Sequence, residues 1–87
     1  MLASFESMGR RLEPQEALGR AVRELRRHRG LTQRELARAA DTNETWISRI
    51  ENGHTNPAWG TVLRLAGALG VRLSELAARA EQIEDDE

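Results

Sequence analysis

The sequence predicts an all-α fold, a compact bundle of about five short helices. Apolar residues recur every three or four positions in successive segments, the spacing of a helix face that packs on a core. Glycine follows three of these segments, at Gly30, Gly53 and Gly70, where it commonly ends a helix. Pro14 and Thr32 stand at expected helix starts, because proline suits a first turn and threonine caps one.

The chain has 87 residues, enough for one small domain with a single core. We expect that domain at residues 14–83, between a flexible N-terminal arm at residues 1–13 and a disordered acidic tail at residues 84–87. There is no cysteine, which favours a reducing cytoplasm as the setting. No apolar run approaches membrane-spanning length. Two isolated histidines indicate neither a metal nor a cofactor.

Charge is distributed unevenly along the chain, although the net charge is only −1. Residues 17–55 carry eight arginines against five acidic residues, and residues 73–87 carry one arginine against six acidic residues. A positive segment beside a negative one predicts a basic binding surface and a separate acidic tail. In the N-terminal arm, Arg10 and Arg11 either contact nucleic acid or belong to a frayed, solvated terminus.

The first predicted helix begins near Pro14 and ends at Gly30. An apolar stripe faces the core, formed by Leu18, Ala21, Val22 and Leu25. Arginines occupy the other faces of the helix, and we expect them to be solvated, with one or two close to phosphate. These arginines are Arg20, Arg23, Arg26, Arg27 and Arg29.

The second and third predicted helices are joined by a tight turn. Thr32 and Glu35 have the spacing of a capping box at the start of the second helix. The break falls at Asp41, because aspartate tolerates left-handed backbone better than most residues. Asn43 is a good N-cap for the third helix, which runs to Asn52.

The third helix has an apolar inner face and a polar outer face. Ile47 and Ile50 point inward. The outer face carries hydrogen-bonding side chains, namely Glu44, Thr45, Ser48 and Arg49. Two short helices in about 20 residues, the second with such a face, predict a helix-turn-helix.

Two further helices are predicted after Gly53. Pro57 can open the fourth, whose apolar positions are Trp59, Val62, Leu63, Leu65, Ala66 and Leu69. The fifth carries an apolar stripe that continues past the compact core and needs something to bury it. We therefore predict a homodimer through this stripe, formed by Leu73, Leu76, Ala80 and Ile83.

The sequence from about residue 17 to residue 76 resembles the lambda-repressor-like (Xre or Cro/C1 type) family of bacterial and phage DNA-binding domains. The resemblance is carried by Leu31–Thr32–Gln33, Glu35–Leu36–Ala37, the run from Ile47 to Gly53, Asn56–Pro57 and Ala68–Leu69–Gly70–Val71. Two positions in the turn depart from the family pattern. Asp41 stands where glycine is usual, and Thr42 stands where an aliphatic residue is usual.

The resemblance implies that the N-terminal part of the third helix enters the major groove of DNA. Arg49 then matches guanine O6 and N7, while Thr45 and Ser48 reach bases or phosphate. Glu44 has two interpretations. It is either a helix-end charge stabilised by the dipole or an acceptor for cytosine N4.

Other residues are implied to position the DNA backbone. Gln33, with the amides at the start of the second helix, faces phosphate on one side. Asn52 and His54 match positions on the opposite flank, although Asn52 alternatively serves as a C-cap. Asn43 completes the expected DNA-binding set.

The preferred function is a sequence-specific transcriptional regulator, a repressor that binds a pseudo-palindromic operator as a dimer. The alternative is a restriction–modification controller or an antitoxin, whose toxin would dock on the tail or the N-terminus. An enzyme has almost no support, because the sequence has no nucleophile–base pair and no phosphate-cradling loop. A protein-interaction module remains an alternative, which a DNA-binding assay separates from the others.

Overall fold

The computed structural model describes residues 12–86, which form five α-helices and no strands. In chain order the helices are α1 (Pro14–His28), α2 (Gln33–Ala39), α3 (Glu44–Glu51), α4 (Trp59–Leu69) and α5 (Leu73–Asp86). The prediction of an all-α bundle of five short helices is confirmed. Within these residues, no helix combines the length and apolar character needed to cross a membrane.

One core lies between the helices. Helix α1 packs along α5 and across α3, α3 packs against α2, and α4 contacts α1, α2 and α5. The core is formed by small and branched aliphatic side chains from every helix: Ala17, Ala21, Val22, Leu36, Ala37, Ala40, Ile47, Ile50, Leu65, Ala66, Leu69, Leu76 and Ile83. Trp46 of α3 is half-buried and packs against this core.

The helix-turn-helix is framed by the predicted caps. The Thr32 hydroxyl accepts from the Glu35 N–H at 3.0 Å, and the Thr32 N–H donates to the Glu35 carboxylate at 2.9 Å. The side-chain oxygen of Asn43 accepts from the Trp46 N–H at 2.8 Å. Each contact satisfies backbone donors that a helix start leaves unpaired. The start of α3 is therefore fixed by its own local sequence.

The turn between α2 and α3 uses the same backbone geometry as the other helix ends. Asp41 has φ 57°, and the Thr42 N–H donates to the Ala37 carbonyl at 2.8 Å. Aspartate therefore adopts the left-handed conformation that glycine usually supplies. Among residues 12–86, the other left-handed residues are all glycines, Gly30, Gly53 and Gly70.

Substitution at Asp41 tests this turn. We expect Asp41→Ala to lower the free energy of unfolding by about 1 kcal/mol, because alanine adopts the left-handed conformation less readily than aspartate. Asp41→Gly is the matched control and should be neutral or stabilising. Urea denaturation of the three proteins measures the difference. Equal losses for both variants would show that the backbone conformation is not the cause.

The apolar stripe of α5 faces the core of its own chain. Leu76 is fully buried, Ile83 is buried, and Ala80 packs on the same core, while Leu73 is half-buried. The prediction of a dimer interface through this stripe is therefore wrong. The physical reason is the length of α1, whose 15 residues extend along α5 and cover the stripe.

Helix α4 begins later than the sequence predicts and exposes part of its apolar set. Its first residue is Trp59, after Ala58 at the N-cap, so the expected opening at Pro57 is wrong. Trp59 is 64% exposed and Leu63 is 44% exposed, whereas the rest of the apolar set is buried or half-buried.

Both predicted domain boundaries differ from the described structure. Helix α5 continues to Asp86, so residues 84–86 are helical where a disordered tail is expected. Ile83, buried one turn from the end, anchors this part of the helix. At the other end, Leu12 packs on the core and Glu13 is the N-cap of α1. The rest of the predicted arm, with Arg10 and Arg11, and Glu87 lie outside the described residues.

Candidate nucleic-acid interface

The outer face of α3 carries polar side chains that have no partner within the described part of the chain. Thr45 and Arg49 are exposed and lie one helical turn apart. Neither side chain makes a hydrogen bond or an ion pair with residues 12–86. An arginine fork and a hydroxyl are thus presented to solvent on a rigid helix, where they are available to an external partner.

Ser48 and Asn52 lie on the same helix and contact each other. The side-chain Nδ2 of Asn52 donates to the Ser48 carbonyl at 2.9 Å and more weakly to the Ser48 hydroxyl at 3.4 Å. The Asn52 side-chain oxygen accepts from Arg23 Nη2 at 2.9 Å. Asn52 is also the C-cap residue of α3, followed by Gly53. Its side chain therefore fixes the end of α3 and ties that end to α1.

The beginning of α3 has its own polar contacts. Glu44 Oε1 lies 3.7 Å from Arg34 Nε of α2, and both side chains are largely exposed. Such an exposed pair contributes at most about 1 kcal/mol. The side-chain oxygen of Asn43 already accepts the capping hydrogen bond from the Trp46 N–H. His54 is exposed, and its side chain makes no hydrogen bond in the described residues, although its backbone N–H donates to the Arg49 carbonyl at 2.9 Å.

A buried ion pair holds α3 against α1 and α2. Glu51 accepts from Arg26 twice, at 2.6 Å from Nε and at 3.0 Å from Nη2. Gln33 Nε2 donates to the same carboxylate at 3.0 Å, and Arg23 Nε lies 3.4 Å from it. The amide of Gln33, which the resemblance directs toward phosphate, is therefore bound within the protein.

This group of four residues, Arg23, Arg26, Gln33 and Glu51, is called here the Glu51 cluster. Arg26 also donates to the Leu31 carbonyl at 2.8 Å. In the described chain no buried side-chain nitrogen or oxygen lacks a hydrogen-bond partner. The cluster places the C-terminal end of α3 at a fixed distance from α1 and from the start of α2.

The Glu51 carboxyl is held in its charged form. Burial raises its pKa, but the hydrogen bond from Arg26, then that from Gln33, and the charge of Arg26 outweigh burial and lower the pKa below the ordinary 4.5. At the surface, hydrogen bonding by Arg79 outweighs desolvation and lowers the pKa of Glu24. Both carboxylates thus bind protons less readily in the folded chain than in the unfolded chain.

These pKa shifts fix the direction of the pH dependence. A carboxyl whose folded pKa is depressed stabilises the fold above its unfolded pKa, and that stabilisation is lost as pH falls through the folded pKa. We expect the urea midpoint to be nearly constant from about pH 7 to pH 5 and to decrease below about pH 4.5. The Glu24→Gln variant should show most of the same decrease in the urea midpoint, because Glu24 is exposed and its ion pair contributes little to stability. A midpoint that is unchanged to about pH 3 would contradict the depressed pKa of Glu51.

The sequence pattern did not assign Arg26 and Glu51 to this cluster. Arg26 was expected on a solvated face, which is wrong because its side chain is 11% exposed and pairs with a fully buried Glu51 side chain. A usable signal exists in the spacing. Arg26 follows buried Val22 by four residues, and Glu51 follows buried Ile47 by four, so opposite charges occupy two core-facing stripes.

Comparison with known proteins identifies the family. A family model described as a helix-turn-helix domain matches residues 17–79. This chain belongs to the helix-turn-helix family. Residues 17–79 of this helix-turn-helix domain include α2 and α3 with the polar outer face, the Glu51 cluster and the start of α5.

Relatives of this helix-turn-helix domain bear the names of regulators. The immunity repressor of Bacillus phage phi105 is 30% identical over 70 residues, 80% of this chain and 49% of the repressor. An uncharacterised regulator of Sinorhizobium fredii is 32% identical, with 82% of this chain and 92% of the relative aligned. This chain thus spans about half the length of the phage repressor.

Two solved structures are similar to this helix-turn-helix domain. The clp gene regulator ClgR of Corynebacterium glutamicum superposes with a TM-score of 0.83 at 28% identity, over 86% of this chain and 80% of that one. The restriction-modification controller protein C.AhdI of Aeromonas hydrophila gives a TM-score of 0.70 at 32% identity, over 71% and 94%. Both likenesses confirm the fold.

Proposed function

We propose that this helix-turn-helix domain is a sequence-specific transcriptional regulator that binds double-stranded DNA. It acts as a dimer on a pseudo-palindromic operator, as a repressor, in the cytoplasm. The observation that carries the proposal is the outer face of α3, where Thr45 and Arg49 are exposed without partners in the described chain. Helix α3 enters the major groove, which displays a distinct donor and acceptor pattern for each base pair.

Roles within the predicted DNA-binding set divide by the contacts of each side chain. Arg49 contacts guanine, and Thr45 and Ser48 contact neighbouring bases or phosphate. Glu44, whose carboxylate has only a weak exposed ion pair, accepts from cytosine N4. His54 extends the surface toward the backbone of the DNA.

Three members of the predicted set act through the protein. The side chain of Gln33 donates to the Glu51 carboxylate, and that of Asn43 accepts from the Trp46 backbone N–H. The side chain of Asn52 donates to the Ser48 carbonyl. We assign them to positioning α3, with remaining polar atoms available to phosphate. The positive charge of residues 17–55 supports phosphate contact and predicts affinity that falls steeply with salt.

Selection of bound sites from a random DNA pool tests the proposal. We expect one enriched site, a pseudo-palindrome whose half-site centres lie about 10 base pairs apart. Binding without sequence preference, or no binding at low salt, would contradict the proposal. A single asymmetric half-site would contradict its dimeric part.

The second candidate is a restriction–modification controller. It is favoured by the structural likeness to C.AhdI, which is named as such a controller. Both candidates bind DNA through the same face, so site selection does not separate them. The neighbouring genes do: a controller is encoded beside a methyltransferase and an endonuclease.

A further inference from the structure

The outward face of α4 is apolar and uncovered. Trp59 and Leu63 are its large residues, 64% and 44% exposed, and they are the exposed large hydrophobic side chains among residues 12–86. They lie four residues apart and therefore on the same face of the helix. Adjacent exposed aromatic and aliphatic side chains mark an interaction surface more often than scattered ones do.

Two glycines lie on the same exposed face. A Cβ added at Gly67 would meet no atom within 4 Å, and one added at Gly60 would meet only the end of the Arg64 side chain, at 3.8 Å. Glycine weakens a helix relative to alanine. The packing of this chain does not require either glycine, and both leave open space on the helix surface beside Trp59 and Leu63.

Trp59, Leu63 and Gly67 form a graded series along this face. Each follows the previous one by four residues, about 6 Å along the helix, so Trp59 and Gly67 are equally distant from Leu63. The side chains decrease in size from indole to isobutyl to hydrogen. A helix that ran antiparallel to α4 and carried the same series would place a large residue opposite an empty position.

We propose that α4 is the dimer interface of this protein, packed antiparallel against α4 of a second copy about a two-fold axis at Leu63. Trp59 of each copy covers Gly67 of the other, and the two Leu63 side chains meet on the axis. The interface is isologous, since one patch contacts itself. This inference rests on the proposed function, which requires a dimer on DNA but does not say which surface forms it.

The contacts within the chain favour a second copy over another partner. The α5 stripe is already buried in its own chain, which leaves the α4 face as the exposed apolar helix surface in the described residues. Two copies of this face bring few charges together. Arg64, at its edge, is held back by bonds to the Ala40 carbonyl at 3.1 Å and the Thr61 hydroxyl at 3.4 Å.

The size of the patch sets the strength of the dimer. A tryptophan contributes about 150–250 Å² of buried surface. Stable interfaces bury about 800 Å² on each partner. One tryptophan, one leucine and two glycines supply only the centre of such an interface. We therefore expect a dimer that depends on concentration in solution and that DNA with two half-sites strengthens.

Sedimentation equilibrium of the full chain over a range of concentrations tests the interface with four proteins. The wild type should dimerise. Trp59→Gly leaves the space at Gly67 unfilled, and Gly67→Trp places two indoles against each other, so each should raise the dimer dissociation constant at least about tenfold. The exchange variant with both substitutions restores a large residue opposite an empty position. It should recover to within about threefold of the wild type.

Circular dichroism of each protein shows whether it is folded, and the comparison is made among folded variants. A wild type that remains monomeric at all concentrations and on operator DNA would overturn the interface. So would single variants that dimerise like the wild type, or a folded exchange variant no better than the single ones. Capture of a different protein by a monomeric wild type would assign the face to that partner instead.

Base preference separates this inference from the proposed function. The single α4 variants should keep the base preferences of an isolated half-site and lose cooperative binding to the palindrome. A monomeric wild type with a clear base preference would defeat the interface and leave the proposed function intact. A wild type that dimerises through α4 but shows no base preference would contradict the proposed function and leave the interface intact.

Discussion

Replacement of Glu51 by alanine should strongly destabilise this domain, because it breaks the buried ion pair with Arg26. We expect Glu51→Ala to lower the free energy of unfolding by about 3–5 kcal/mol, the usual effect of removing one partner of a buried ion pair. The carboxylate accepts from Arg26 and Gln33, and its removal leaves a guanidinium that is nearly buried and no longer paired. The whole free energy of unfolding of a small domain is only about 5–15 kcal/mol.

Urea denaturation at neutral pH measures the loss, and Glu81→Ala on the exposed face of α5 is the control, expected within about 0.5 kcal/mol of the wild type. The double variant with Arg26→Met and Glu51→Met should be more stable than either single variant, because both charges leave the interior together. Equal stability of Glu51→Ala and the wild type would contradict the buried ion pair. A double variant with strictly additive losses would contradict the coupling.

The second large effect concerns Gly19, where α1 crosses the end of α3. A Cβ at this position would collide with the carbonyl oxygen of Ile50 and would lie 2.9 Å from that of Glu51. Backbone atoms cannot rotate away as a side chain does, so the helices must separate. We expect Gly19→Ala to lower the free energy of unfolding by roughly 3 kcal/mol, the upper end of the cost of overpacking.

Gly67→Ala is the matched control for Gly19→Ala, because it makes the same change inside a helix where an added Cβ meets no atom within 4 Å. It should raise stability by about 1 kcal/mol, since alanine favours a helix over glycine. Both are measured by urea denaturation at concentrations where the protein is monomeric. Similar shifts for the two variants would mean that helix propensity, rather than the close approach of α1 and α3, governs Gly19.

Local signals in the sequence predicted the helices and their ends. The caps at Thr32 and Asn43 act between residues three apart, so their chemistry is visible in the sequence. The same holds for Asp41, whose tolerance of left-handed backbone predicted the break between α2 and α3. The polar outer face of α3 also follows from helical spacing, which separates Ile47 and Ile50 from Thr45 and Arg49.

Contacts between distant segments were not predicted. Arg26 and Glu51 are 25 residues apart, and Gln33 joins them from a third helix, so helical spacing on one segment does not show their pairing. The α5 stripe was assigned to a partner because the sequence does not show how far α1 extends beside it. Trp59 was placed among the apolar positions of α4, yet it is exposed because it lies with Leu63 on the outward face of that helix.

The contribution of Arg49 to base preference is the most direct test of α3 as the DNA-contacting helix. Site selection with the wild type and with Arg49→Ala should give two profiles that differ at one guanine in each half-site, with discrimination there reduced by about 1–3 kcal/mol. Arg27→Ala on α1 is the control for loss of one exposed positive charge, and it should weaken binding to all sequences alike. If Arg49→Ala also weakens binding uniformly and leaves every position of the site unchanged, α3 does not contact the bases through Arg49, and the central claim is wrong.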